Sequence, residues 1–110
     1  MLRLLESHAH ARRLRELVAG FEAEERRMTC VLRTLQSRLE AGHREASCHQ
    51  IAASPDAPAW LDRCSELQQQ CDALAAELAH CRLAIAGTSE ELAQHGGRRT
   101  DCGDSRLLGA

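Results

Sequence analysis

Along the first half of the chain an apolar residue recurs every seven positions, at Leu14, Phe21, Met28 and Leu35. Leu17, Val18, Val31, Leu32 and Leu39 flank this spine on both sides. The stripe is therefore broader than a two-position seam, and it suits a helix that packs against more than one neighbour. It weakens at Glu24 and Glu25, beside Arg26 and Arg27, where charge falls on every face and looser packing is expected. The pattern predicts a first helix over about residues 2–50, within a segment 1–52. Gly20 and Gly42 each cost that helix roughly 1 kcal/mol relative to Ala.

One clear interruption follows, SPDAPAW at 54–60, inside a linker set at 53–59. Ser54 or Asp56 can cap a new helix, and a proline is tolerated in a first turn because its missing N–H needs no partner there. The second helix is predicted over 60–95, ending at Gly96-Gly97, since glycine accepts the left-handed conformation that closes helices. Residues 96–110 combine glycine and charge without periodicity and read as a disordered tail.

Written as heptads with Cys64 at position a, the second helix places Cys64, Cys71, Leu78, Ile85 and Leu92 at a. Position d holds Trp60, Leu67, Leu74, Cys81 and Thr88. The apolar seam from Trp60 to Ile85 is unbroken and contains three of the six cysteines. Cysteine packs as a small hydrophobe, so seam packing accounts for these three thiols. The predicted interface residues are thus Trp60, Cys64, Leu67, Cys71, Leu74, Leu78, Cys81 and Ile85, with Leu14, Phe21, Met28 and Leu35 on the first helix.

Composition sharpens the fold class. One Phe, one Trp and no Tyr leave little for an aromatic-lined pocket, whereas Leu, Ala, Arg, Glu and Gln are strong helix formers. The expected class is all-α: two long amphipathic helices forming an antiparallel hairpin or coiled coil. Residues 1–50 carry nine Arg against seven Glu, a net +2, while 54–95 carry two Arg against seven acidic groups, a net −5. Opposite signs favour pairing of the two segments, and a short connection makes neighbouring helices antiparallel. The competing arrangement is one long helix per chain, kinked at the prolines, in a parallel dimer.

Chemistry finds less support. A zinc site wants ligands two to four residues apart, but the thiols between 64 and 81 are separated by six and nine residues, and no CxxC occurs. His43 with Cys48-His49, and His80-Cys81, offer ligand types without the spacing. Cys64 and Cys71 would stand about 10 Å apart on a helix, beyond disulfide reach. Cys48 beside His49 is the nearest approach to a nucleophile and base, yet adjacent helical residues point in different directions. The six histidines are scattered among Arg and Glu and read as solvated. No phosphate loop, Ser-His-Asp order or metalloprotease motif occurs, so no enzyme, no cofactor and no small-molecule substrate are expected.

The net charge of −2 argues against a dedicated nucleic-acid binder. Arg12, Arg13 and Arg15, extended by Arg26, Arg27 and Arg33, form a basic patch that Glu16, Glu22, Glu24 and Glu25 dilute. With no secretory leader and no membrane span, the chain is expected in the cytoplasm, a reducing compartment in which its thiols stay free. The leading expectation is a coiled-coil protein-interaction module: an adaptor, an assembly subunit or a fragment of a larger scaffold. It would bind a helical partner or a second copy of itself. An Arg-rich binder of nucleic acid or acidic surfaces stands second, and a thiol-based redox or metal sensor a distant third.

Overall fold

The computed structural model describes the backbone of residues 2–108 and the side chains of residues 5–95. Two helices, α1 (Leu2–Ile51) and α2 (Ala57–Leu108), pack against each other as an antiparallel hairpin. Of the two arrangements that the sequence allows, the hairpin is therefore the one adopted. α2 begins three residues earlier than the heptads suggest and includes Pro58 in its first turn, where proline costs no hydrogen bond. The helical backbone continues through Gly96-Gly97 to Leu108. The side chains of the expected tail, 96–110, lie outside the described residues, as do Gly109 and Ala110 altogether.

Hydrogen bonds in the connection explain the reversal. The Ser54 N–H donates to the His49 carbonyl at 2.8 Å, and the Ala53 N–H donates to that of Gln50 at 3.1 Å. This double closure is a Schellman motif, which needs a left-handed residue at its penultimate position. Ala53 supplies it at φ 52°, the one non-glycine residue with positive φ among the described residues. Pro55 then blocks any return to α1. The Asp56 N–H donates to Ser54 Oγ at 3.2 Å, and the Asp56 carbonyl accepts the first α-helical bond, from the Trp60 N–H. Because a left-handed alanine costs about 1 kcal/mol that glycine does not, Ala53→Gly is expected to stabilise the hairpin by roughly 0.5–1 kcal/mol. A urea midpoint that falls instead would show that the closure does not hold the turn.

The hairpin divides into two compact units, Glu25–His80 and Met1–Glu24 with Cys81–Ala110. On α1 the boundary falls between Glu24 and Glu25. In the unit 25–80, Leu39, Ala46, Cys64, Leu67 and Cys71 form a buried cluster, with Leu32, Leu35 and Trp60 packed against it. In the other unit, Leu14 is buried, and Val18, Phe21, Cys81 and Ile85 are partly buried.

The covered positions of α1 alternate steps of three and four residues: Ala11, Leu14, Val18 and Phe21 in one unit, Leu32, Leu35, Leu39, Gly42 and Ala46 in the other. That is a two-position seam, and the broad stripe expected from sequence is corrected accordingly. Leu17 stays 50% exposed and Val31 41% exposed. The reason is geometric: two helical cylinders touch along a line, so a single neighbour covers only the facing positions of each heptad. Among the described residues no large side chain is fully enclosed.

Candidate functional site

Each predicted interface residue lies at a facing position of the seam. Leu14, Met28, Cys64, Leu67, Cys71 and Leu78 are buried, while Phe21, Leu35, Trp60, Leu74, Cys81 and Ile85 are partly buried. The hairpin thus uses within one chain the apolar surface that the sequence offers for helix pairing. A partner must find its contacts on what remains: the half-open seam edges and the flanks.

The seam thiols sit where the helices come close. Gly42 lies at a covered position of α1, and a Cβ placed there would stand 3.2 Å from Cys64 Sγ. The glycine and the small thiol fit because neither is larger. Cys81 goes beyond apolar packing, for its thiol donates a hydrogen bond to the Phe21 carbonyl at 3.2 Å. Cys64 and Cys71 are buried free thiols, whereas Cys30 and Cys48 are exposed. Alkylation under native conditions should therefore modify Cys30 and Cys48 first, with Cys64 and Cys71 slower by at least about a hundredfold because they must wait for opening of the hairpin. Peptide mass spectrometry reads the order, and equal rates at all four would refute this burial.

A shallow groove lies beside the seam in the unit 25–80. It is lined by the apolar Ala41, Gly42, Trp60 and Leu67 and by the charged Arg38, Glu45 and Arg63. Next to it His49 stacks on Trp60, with ring centroids 5.7 Å apart and planes 17° apart, and approaches Glu45 at 3.7 Å. His49 is therefore engaged in packing, and Cys48 points to solvent rather than joining it.

The Arg-rich patch is partly self-neutralised, since Arg12 approaches Glu16 at 3.6 Å, one helical turn away. In the unit of residues 1–24 and 81–110, two histidines depart from the scattered, solvated expectation. His10 of α1 meets Glu91 and His95 of α2, their ligand atoms all within 4.8 Å of one another. Sequence reasoning looked for metal ligands near cysteines and missed this group. Its only linear signal is Glu91 and His95 four residues apart on one helix face. His10 joins them solely because the chain folds back. Among the described residues no helix is long and apolar enough to cross a membrane.

Comparison with protein-family models, with curated proteins and with solved structures finds no match for this chain.

Proposed function

We propose that this chain is a helical-hairpin protein-interaction module, and that the groove over Gly42 receives a partner helix. The observation that carries this reading is the groove itself, lined by the apolar Trp60 and Leu67 together with Arg38, Arg63 and Glu45. Tryptophan and arginine are the residue types on which binding energy concentrates at interfaces. The thin seam supports the same reading, because a third helix would cover apolar edges that two helices leave wet. The matching partner is an amphipathic helix with an aliphatic anchor for the apolar lining and carboxylates for the two arginines.

The test uses a photo-crosslinking amino acid at the exposed groove position Ala41. A crosslinked protein should disappear with the double variant Arg38→Glu/Arg63→Glu and persist with Arg13→Glu, which lies outside the groove. Circular dichroism checks that all variants stay helical. Crosslinking to a second copy of this chain would make the module self-assembling. Loss with Arg13→Glu instead, together with steep salt dependence, would replace this reading with the basic-patch one.

A further inference from the structure

We infer that His10, Glu91 and His95 form a binding site for a divalent transition-metal ion, of which zinc is the type. His10 Nε2 stands 3.3 Å from Glu91 Oε1, and the His10 and His95 rings meet edge-on with centroids 4.7 Å apart. Around an ion with ligand bonds of about 2.1 Å in tetrahedral geometry, neighbouring ligand atoms stand about 3.4 Å apart. The His10–Glu91 pair already has this separation. The remaining distances, at most 4.8 Å, close by small rotations of a glutamate and two imidazoles.

Donor chemistry selects the class of ion. Two imidazoles and one carboxylate suit zinc and its first-row neighbours, whereas calcium and magnesium favour all-oxygen sets. Access is open: the side chains of His10 and Glu91 are 38% and 51% exposed, so an ion enters from solvent and water completes its coordination. A hydrogen bond between His10 and Glu91 alone gives no reason for a second imidazole to stand against the first. Helical spacing brings Glu91 and His95 to one face of α2, and the hairpin sets His10 of α1 opposite. Bound metal would therefore tie α1 to α2 within this unit, and binding would stabilise the folded chain.

The test is titration of the full chain, under reducing conditions, with Zn2+ and with Co2+ as a spectroscopic probe. One Zn2+ per chain should bind and raise the melting temperature. His10→Gln and His95→Gln should each weaken binding by at least about tenfold, as expected when one of three protein ligands is lost, and should remove the thermal shift. Glu91→Gln, nearly equal in shape, should do the same with unchanged helicity, which keeps the result separate from misfolding. The Co2+ form should lack the intense charge-transfer absorption of thiolate ligation. Equal affinity across all variants, a thiolate band, or no binding at micromolar zinc would each overturn the site.

Discussion

Leu78→Asp is expected to abolish the cooperative unfolding transition of the hairpin. Leu78 is 4% exposed at a facing position of α2. Removing a buried leucine side chain costs about 2–5 kcal/mol, and a carboxylate in its place must be desolvated or protonated besides. Small domains have little to spare against such a loss: about 5 kcal/mol is the low end of domain stability, and thin cores fall toward it. Leu74→Asp should be milder, because Leu74 keeps one edge in water. Gln69→Asp, on the exposed face of the same helix, should change stability by no more than about 0.5 kcal/mol. Thermal melts followed by circular dichroism give the order Leu78, Leu74, Gln69. Three equal effects would show that this heptad register does not hold the helices together.

Gly42→Leu should destabilise almost as much, by about 3 kcal/mol, because the added side chain runs into Cys64 at a closed position. The smaller change Gly42→Ala is more informative. Its Cβ gains about 1 kcal/mol of helix propensity but meets Cys64 Sγ at 3.2 Å, so the thiol must give way. Gly20→Ala and Gly87→Ala meet nothing within 4 Å and should each simply stabilise, by roughly 1 kcal/mol. In a Cys64→Ala background the obstruction at Gly42 vanishes, and Gly42→Ala should then behave like the other two. A double-mutant cycle measures the difference as coupling between the sites. Gly42→Ala with an effect equal to that of Gly20→Ala in both backgrounds would show that the helices do not approach closely there.

What the linear sequence determined is whatever depends on neighbours along the chain. A proline-free stretch from Leu2 to Ile51 rich in Leu, Ala, Arg and Glu, and the apolar step of seven, are local facts. So is the break at Ser54–Asp56, where Pro55 removes a donor and restricts the residue before it. The register of the second helix followed from the same periodicity, and its facing positions, from Trp60 to Ile85, are all covered.

What needed the folded chain is whatever depends on distance through space. The width of the α1 stripe was not legible: periodicity shows which residues are apolar, but the number of neighbours decides how many of them are covered. One neighbour leaves Leu17 and Val31 in water. The left-handed Ala53 was hidden because glycine is the residue that announces such a closure, and alanine adopts it here under the pull of two hydrogen bonds. Gly42 read as a helix weakness, and only the approach of Cys64 from α2 turns it into a fitted contact. His10 lies more than eighty residues from the Glu91 and His95 that it meets. No spacing rule reaches that far; the reversal at Ala53–Asp56 makes them neighbours.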